Sequence, residues 1–222
     1  MNKIVVKSPA KINIGLNVIN KRDDGFHNIE TIFYPLNLFD EIEIIQSKKF
    51  TFKSNDSNLN KEKSNLIIRA KELLEEESNI QLSVEIYLNK NIPIGAGLGG
   101  GSSNAAATMI ALTKLFNLQI DTKHLFRLAL QLGSDVPFFL NPVTSFAESR
   151  GEVLVPINLK LKKYLVIVNP GIHISTKWAF GLITPIQPKI SLQVPIRKSP
   201  VEIGELMSIA SNDFEKIVFN HF

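Results

Sequence analysis

The stretch Pro93–Thr108, PIGAGLGGGSSNAAAT, contains five of the chain's twelve glycines, all between Gly95 and Gly101. Glycine loses more backbone entropy on folding than any other residue, so a run this dense is not typical of a regular helix or strand. Ser102–Asn104 are good N-cap residues, and Ala105–Ala107 then begin a segment that we expect to be helical to about Phe116. A loop that leads into a helix N-terminus directs free N–H groups and the positive end of the helix dipole at one point. The stretch therefore predicts a phosphate-binding loop.

Three other interpretations of this loop compete. A Walker A loop ends in Gly-Lys-Ser/Thr, and the absence of lysine from the loop excludes it. The pattern GxGxxG matches at Gly95, Gly97 and Gly100, but a dinucleotide-binding loop directly follows a buried parallel strand. Here the apolar residues of Leu82–Leu88 alternate with polar ones, which predicts a half-exposed strand. The third interpretation is a glycine-rich turn without a ligand, which the serines and the capped helix that follow make the weaker hypothesis.

The composition bounds the class of protein. A chain of 222 residues can form one large domain or two modest ones, and 44% apolar with 21% charged residues is typical of a soluble globular protein. The sequence has no apolar run of membrane-spanning length, no signal-peptide pattern at its start and no cysteine. These features fit a cytoplasmic protein. The net charge of +4 permits binding of an anionic small molecule, but the scattered lysines do not form the basic block typical of nucleic-acid binding.

Hydrophobic periodicity and turn signals predict mixed strands and helices without regular βαβ alternation, which indicates an α+β fold. The expected strands are Ile4–Val6, Ile12–Val18, Ile42–Ile45, Leu82–Leu88, Val143–Phe146, Val153–Ile157 and Tyr164–Val168, with Ser8–Ala10 interrupting the first two. The expected helices begin at Ser64 or Asn65, after the glycine loop, at Asp121 or Thr122, at Ser175, at Glu202 and at Asn212. Residues 47–63 and 184–200 are expected to be connections, and a domain boundary is expected near 155–163.

Two polar positions are candidates for chemistry. Lys11 and Asn13 alternate with apolar residues and therefore share one face of a strand, which for a lone lysine is usually the solvated face. Gly15 lies on the same face and suggests that another group packs closely there. Asp135 follows a helix end and precedes an apolar run. It forms either an Asx-type turn before Pro137, which the local sequence slightly favours, or a carboxylate that faces a cleft.

Three motifs in order resemble the GHMP small-molecule kinases: Pro9–Asn13, the glycine loop Pro93–Ser103 and Gly133–Pro137. Three further motifs are most similar to the members of that superfamily that phosphorylate 4-diphosphocytidyl-2-C-methyl-D-erythritol in isoprenoid precursor biosynthesis. These are Asp24–His27 with Thr31 after it, Ser64–Ala70 and Ser211–Glu215. The resemblance extends from about residue 7 to the end of the sequence. It implies an ATP-dependent phosphotransferase with Mg²⁺ that acts on the 2-hydroxyl of that compound.

The resemblance also implies the catalytic residues. Asp135 is expected to be the general base for the substrate hydroxyl, with Lys11 beside it. A cation next to Asp135 keeps the carboxylate ionised and stabilises the charge that develops on the alkoxide and the phosphoryl group. Phosphoryl transfer depends mainly on positioning and charge neutralisation.

The binding residues follow from the resemblance in the same way. Asn65 is expected near the nucleotide, and Ser102 or Ser103 near the metal, whose ligands the resemblance does not specify. The substrate-binding residues are Asn13, Phe26, His27 and Phe180: Phe26 stacks on the cytosine, His27 hydrogen-bonds it and Phe180 is a second stacking aromatic. Core packing is the alternative for both phenylalanines. The ATP phosphates are expected at Pro93, Ile94, Gly95, Ala96, Gly97, Leu98, Gly99, Gly100, Gly101, Ser102 and Ser103.

The resemblance further implies a two-lobed α+β architecture. Residues 1–157 would form the ATP-binding N-terminal lobe, similar to the second domain of ribosomal protein S5, and residues 158–222 a ferredoxin-like C-terminal lobe. The family carries a third glycine-rich motif in its C-terminal part, and the 222 residues contain no such motif. The second lobe is therefore expected to be incomplete.

Other functions compete with this one. A GHMP kinase for another alcohol, such as homoserine or mevalonate, would share the fold, but the Phe26–His27 and Asn65 motifs argue against it. A dinucleotide-binding oxidoreductase needs an acidic residue at the end of a second strand, about 20 residues after the glycines. Asp121 lies near that distance but at a helix start. A basic nucleic-acid module is the third alternative.

Overall fold

The structure is a computed structural model that describes residues 2–61, 65–159, 161, 164–185, 190–197 and 200–222. Ser64, one of the two expected helix caps, lies outside the described residues. Parts of the expected connection at 184–200 and of the expected boundary at 155–163 also lie outside them.

The described residues form strands and helices in mixed order. The strands are β1 Lys3–Lys21, β2 His27–Gln46, β3 Thr51–Ser54, β4 Val84–Asn89, β5 Ser145–Glu148 and β6 Val153–Pro156. The helices are α1 Leu66–Ser78, α2 Gly100–Leu115, α3 Thr122–Leu132, α4 Val136–Leu140, α5 Thr176–Leu182, α6 Gln193–Ile196, α7 Ile203–Ile209 and α8 Asp213–Phe219, with a 3₁₀ turn at Leu59–Lys61. In the described ranges, every helix falls short of the length and apolar character needed to cross a membrane.

The chain divides into two compact units that interleave in sequence. The first unit comprises Met1–Ala10, Leu36–Ile94 and Leu98–Pro142. The second unit comprises Lys11–Pro35, Gly95–Gly97 and Val143–Phe222. Strands β1 and β2, which pair with each other, therefore each contribute to both units.

The first unit contains three paired strand segments and four helices. Residues Glu41–Gln46 of β2 pair antiparallel with β4, with Ile44 opposite Ile86, and β3 pairs parallel with β4 on its other side. The alternating burial of β4 follows its alternating sequence, as expected for a strand with one face on the core. Helices α1–α4 pack against one another. Helix α2 is buried at most of its positions because Ala105–Ala107 allow its neighbours to approach closely.

In the second unit, a short antiparallel ladder meets the helices of the C-terminal part. Residues Thr31–Phe33 of β2 pair with β5, and β5 pairs with β6. The pairing of β5 with β6 confirms the hairpin expected around residues 148–152. Helix α5 contacts α8, and α6 contacts α7. One core cluster of this unit consists of Ile14, Ile32, Phe146, Leu159, Leu192, Val201 and Leu206.

Three expectations about strands were wrong. Strand β1 continues through Ser8–Ala10, because the fixed φ of Pro9 is compatible with extended backbone. The expected connection at 47–63 contains β3, a short strand of alternating burial. The expected strand Tyr164–Val168 belongs to no strand in the described structure, and Tyr164, Val166 and Val168 are highly exposed. Among the described residues no strand pairs with this segment, so its backbone lacks the ladder that defines a strand.

The helix ends agree with the sequence in part. Asn65, Asp121, Ser175 and Asn212 cap α1, α3, α5 and α8 through their side chains, as the sequence predicted. The expectation that Ser102–Asn104 cap the helix after the glycine loop was wrong. That helix begins earlier, at Gly100, because the left-handed backbone at Gly99 already turns the chain into it.

The segment after Asp135 also differs from the expected turn. Asp135 has helical backbone angles and makes no side-chain cap bond, and the apolar run after it forms the short helix α4. An Asx-type turn is impossible here because Pro137 has no N–H for the carboxylate to accept.

Gly15 is the position in β1 where another group packs closely, as the sequence suggested. Its φ is +69°, in the left-handed region. A Cβ atom at this position would lie 2.9 Å from Leu192 Cδ1 and 3.5 Å from the Cα of Ala210. The Thr31 hydroxyl donates a 2.6 Å hydrogen bond to the Gly15 carbonyl. The backbone conformation and the close neighbours both require glycine.

We predict that Gly15→Ala destabilises the protein by about 1–3 kcal/mol, because the left-handed backbone is strained for alanine and Leu192 must shift. The measurement is urea denaturation followed by circular dichroism. Gly204→Ala is the matched control, because it lies in α7 and, among the described residues, no atom outside its chain neighbours and its own helix lies within 4 Å of its Cβ position. Equal stability of the two variants would contradict the prediction.

Candidate functional site

The glycine loop has an unusual backbone. Gly95, Gly97 and Gly99 all have positive φ, at 69°, 72° and 70°. This conformation is costly for L-residues with a side chain, which explains the density of glycine. At Gly95 a Cβ atom would also overlap the His173 ring, whereas at Gly97 no described residue beyond its chain neighbours lies within 4 Å of the Cβ position. Such turned backbone is suited to directing N–H groups toward an anion.

The helix after the loop adds a second feature of an anion site. Helix α2 has no acidic residue in its first turn, and neither has α1. The two helix N-termini are neighbours, because Leu66 Cδ1 lies 3.7 Å from the Cβ position of Gly101. Asn65 caps α1 by accepting a 2.9 Å hydrogen bond from Ile67 N. Two adjacent helix N-termini concentrate positive partial charge at one place.

Ser103 carries a buried hydroxyl near the N-terminus of α2. The residue is almost fully buried in the first turns of α2. Its Oγ has no hydrogen-bond partner among the described residues. A buried hydroxyl without a partner is costly, so it is a position where a ligand would gain a hydrogen bond.

Lys11 and Asn13 lie in β1 within the second unit, and their neighbours hold them in place. Lys11 is only 5% exposed, so the solvated-face interpretation is wrong for it. Its Nζ donates a 2.5 Å hydrogen bond to Asn13 Oδ1 and lies 4.9 Å from the centre of the Phe33 ring. The Asn13 amide in turn donates to Thr31 Oγ1 at 2.8 Å. The lysine ammonium is therefore held by the half-buried Asn13, which is itself fixed by the buried Thr31.

Asp135 lies in the first unit, in the turn between α3 and α4. The turn is closed by a 3.2 Å hydrogen bond from Val136 N to the Gly133 carbonyl. Gly133 ends α3 by donating its N–H to the Ala129 carbonyl. The rigid turn places a half-buried carboxylate at the start of α4. Such a carboxylate is a suitable general base once a substrate hydroxyl lies within hydrogen-bond distance.

His27 and Phe180 are brought together in the second unit although they are distant in sequence. Their rings stack with centres 5.1 Å apart and planes 18° apart. The rings of Phe214 and Phe180 pack in a T-shaped arrangement, with their centres 4.8 Å apart. Burial lowers the pKa of His27 below its ordinary value, and the nearby charge of Lys21 lowers it further. His27 is consequently a neutral hydrogen-bonding group at neutral pH.

Phe180 and Phe26 differ in their surroundings. Phe180 packs against the cluster of Leu16, Val18 and Ile29, so core packing describes part of its role. Phe26 is 47% exposed and is not a core residue. The guanidinium carbon of Arg150 lies 3.9 Å from the centre of its ring.

Arg150 and Phe214 are neighbours of the predicted substrate residues that the sequence analysis missed. The β5–β6 turn was interpreted only as a hairpin, and that turn places Arg150 over Phe26. Arg22 attaches the turn to the preceding hairpin by donating to Ser149 Oγ at 2.8 Å and pairing with Asp24 at 2.9 Å. A motif for Phe214 was available in Ser211–Glu215, but its contact with Phe180 depends on folding.

The predicted residues thus fall into two sets, each within one unit. The first unit contains Asp135, Asn65 and both flanks of the glycine loop, and the second contains Lys11, Asn13, Gly95–Gly97 and the aromatic residues. In the part of the chain that the structure describes, no three His, Cys, Asp or Glu side chains are grouped as metal ligands.

Comparison with known proteins identifies the family of the chain. The sequence family described as the GHMP kinases N terminal domain matches residues 65–141. That range includes helices α1–α4, the glycine loop and Asp135.

Several relatives match nearly the whole chain. The 4-diphosphocytidyl-2-C-methyl-D-erythritol kinase of Bacteroides fragilis is 43% identical over 219 residues, covering 96% of this chain and 78% of its own. The protein of the same name from Prosthecochloris aestuarii is 38% identical over 229 residues, covering 100% of this chain and 79% of its own.

Solved structures show the same relationship. A crystal structure of 4-(cytidine 5′-diphospho)-2C-methyl-D-erythritol kinase superposes with a TM-score of 0.75 at 31% identity, covering 99% of this chain and 78% of that one. A homoserine kinase from Cytophaga hutchinsonii, with a TM-score of 0.60 at 20% identity, covers 95% of this chain and 68% of its own and shares the fold. These matches confirm the α+β fold and the kinase interpretation of the chain. The chain belongs to the 4-diphosphocytidyl-2-C-methyl-D-erythritol kinase family of the GHMP kinases.

Proposed function

We propose that this kinase transfers the γ-phosphoryl group of ATP to the 2-hydroxyl of 4-diphosphocytidyl-2-C-methyl-D-erythritol, in cytoplasmic isoprenoid precursor biosynthesis. The observation that carries the proposal is the grouping of a neutral His27 with an aromatic partner, Phe180, in a chain that also has the kinase glycine loop. A pyrimidine needs both an aromatic face and a hydrogen-bonding edge. We assign ATP binding to residues 1–157 and a ferredoxin-like lobe to residues 158–222.

The glycine loop binds the ATP phosphates in this proposal. The left-handed glycines turn N–H groups toward the phosphates, and the adjacent N-termini of α1 and α2 add positive partial charge. Asn65 lies near the nucleotide at the start of α1. Mg²⁺ is usually held by substrate phosphates with few protein ligands, and the buried Ser103 Oγ, which has no hydrogen-bond partner among the described residues, is an oxygen of the kind it takes. Ser102 or Ser103 would hold the ion, which would neutralise phosphate charge.

Asp135 and Lys11 carry the chemistry. The Asp135 carboxylate accepts the proton of the 2-hydroxyl as that oxygen attacks the γ-phosphorus. Lys11 supplies positive charge that keeps the carboxylate ionised and stabilises the developing negative charge. Its hydrogen bond to Asn13, which also belongs to the substrate site, fixes the direction of the ammonium group.

The aromatic residues select the cytidylyl group. Phe26 offers an exposed ring for stacking, with Arg150 over one face. His27 hydrogen-bonds the cytosine, and Phe180 holds the His27 ring by stacking on it while adding aromatic surface. Homoserine and mevalonate have no nucleobase, so they would make none of these aromatic and hydrogen-bonding contacts.

We predict that the chain releases ADP from Mg-ATP in the presence of the cytidylyl substrate and that Asp135→Asn lowers kcat by about 10²–10⁴-fold, because the general base is lost. The measurement is a coupled assay of ADP release. Homoserine and mevalonate replace the substrate in parallel reactions. ADP release with either of them, and not with the cytidylyl compound, would overturn the substrate assignment.

We also predict a pH dependence that belongs to His27. Because burial lowers the pKa of His27 below its ordinary value of about 6.5, the ring is mostly neutral at neutral pH, and protonation should affect KM for the cytidylyl substrate only at a lower pH than for an ordinary histidine. In more acidic solution, protonation charges the ring and removes its acceptor, so KM should rise. In His27→Gln, the KM for the cytidylyl substrate should be higher than in wild type at neutral pH, and it should not rise further in acidic solution.

The control for that profile is His124→Gln. His124 pairs with Glu77 at 3.0 Å in the first unit and does not belong to the proposed substrate site. Its variant should keep the wild-type pH profile of KM. If the KM of His27→Gln still rises in acidic solution as in wild type, His27 does not belong to the substrate site.

A further inference from the structure

A buried carboxylate, Asp40, binds both flanks of the glycine loop. Asp40 lies in β2 and is fully inaccessible to solvent. Its Oδ1 accepts hydrogen bonds from the backbone N–H groups of Asn91 and Ile92, at 2.7 and 2.8 Å. Its Oδ2 accepts from Lys90 Nζ at 2.6 Å and from Asn104 Nδ2 at 2.9 Å. Four donors therefore meet on one carboxylate.

The positions of these donors in the sequence are informative. Lys90–Ile92 immediately precede Pro93, where the loop begins, and Asn104 lies in the first turns of α2, where the loop has ended. All of them belong to the first unit. One side chain thus fixes the distance between the entry and the exit of the loop.

Further contacts make each flank rigid. Lys90 Nζ donates a second hydrogen bond, of 2.7 Å, to the Ile92 carbonyl. A Cβ atom at Gly100 would lie 2.9 Å from Lys90 Nζ, so the first residue of α2 packs directly on the lysine. The Asn104 amide donates to Ser8 Oγ at 2.6 Å, which attaches this flank to β1. Burial lowers the pKa of Lys90, and its contacts with Asp40 oppose that effect.

Stability alone is a poor reason for this arrangement. A buried ion pair must offset the cost of removing two charges from water, and apolar residues of similar size often stabilise as well. A glycine-rich loop, however, has little conformational preference of its own, so the direction of its N–H groups must be imposed by its flanks. Directional hydrogen bonds to both flanks meet that requirement.

We propose that Asp40 is a positioning residue for the ATP phosphates, acting through Lys90, Asn104 and the backbone of Asn91–Ile92 to hold the glycine loop in its binding conformation. The proposal rests on the proposed function to the extent that this loop binds ATP. Asp40 itself does not contact the nucleotide in this proposal.

The test compares Asp40→Asn with Glu75→Gln. Glu75 is the matched control because its carboxylate also accepts from a mostly buried lysine, Lys71 at 2.6 Å, and from a backbone N–H, that of Leu82 at 2.7 Å. It lies late in α1, about 15 Å along the helix from Asn65 at 1.5 Å per residue. Both variants replace a carboxylate with an amide of the same size.

Four quantities are measured for each variant. They are the Kd of the non-hydrolysable analogue AMP-PNP by calorimetry, the KM for ATP, the KM for the cytidylyl substrate and the melting temperature. For Asp40→Asn we expect the Kd of AMP-PNP and the KM for ATP to rise by about tenfold or more, because the glycine loop is no longer held in position to bind the phosphates. The KM for the cytidylyl substrate should stay within about twofold of wild type. For Glu75→Gln we expect a lower melting temperature and both KM values within about twofold of wild type.

Equal increases in both KM values, or AMP-PNP binding by Asp40→Asn within about twofold of wild type, would overturn the proposal. If Asp40→Asn does not fold, Asn104→Ala is used as the test instead. This variant removes one of the four hydrogen bonds that the Asp40 carboxylate accepts and does not change the charge. In that variant the Kd of AMP-PNP must rise while the KM for the cytidylyl substrate stays constant, and an unchanged Kd would overturn the proposal.

Wild-type binding of AMP-PNP without phosphorylation of the cytidylyl substrate would refute the proposed function alone. Absence of binding by wild type would refute both.

Discussion

The burial of helix α2 on most of its surface is the constraint on which the first unit depends. Its N-terminal half consists of glycine, serine, asparagine and alanine, and these small side chains let α1, α3 and α4 pack closely around it. The same helix must begin where the glycine loop ends, so that its N-terminal N–H groups follow the turned backbone of the loop. Close packing fixes the helix, and the helix in turn fixes where the loop can bind an anion.

The second unit depends on a comparable constraint at β1. The left-handed Gly15 lets Leu192 and Ala210 approach the strand, and the segment after α7 then bonds to it. Leu16 N donates to the Ser211 carbonyl at 2.7 Å, and Val18 N donates to Asp213 Oδ2 at 2.6 Å. These contacts hold α8 against β1. Phe214 of α8 then packs on the ring of Phe180, and Phe180 stacks on His27. The late part of the chain thereby supports the predicted substrate residues.

In both units, buried polar groups position the candidate functional side chains. Lys11 is held through Asn13 and Thr31, and the glycine loop is flanked by the donors of Asp40. Burying such groups is costly unless every polar atom finds a partner, so each network admits few arrangements. An apolar core tolerates repacking, whereas these networks require particular donors at particular distances. This difference explains why polar residues occur in the interior of a kinase whose chemistry depends on positioning.

The sequence by itself determined the features that arise from neighbouring residues. The glycine loop, the caps at Asn65 and Asp121, and the β5–β6 hairpin were predictable because backbone preference and local hydrogen bonds decide them. The tertiary structure alone decided which distant residues meet. Lys90 pairs with Asp40 across 50 positions of the chain, and Arg150 reaches Phe26 only through the turn that Arg22 anchors. No periodicity encodes such pairs, since they exist only after the strands and helices have packed.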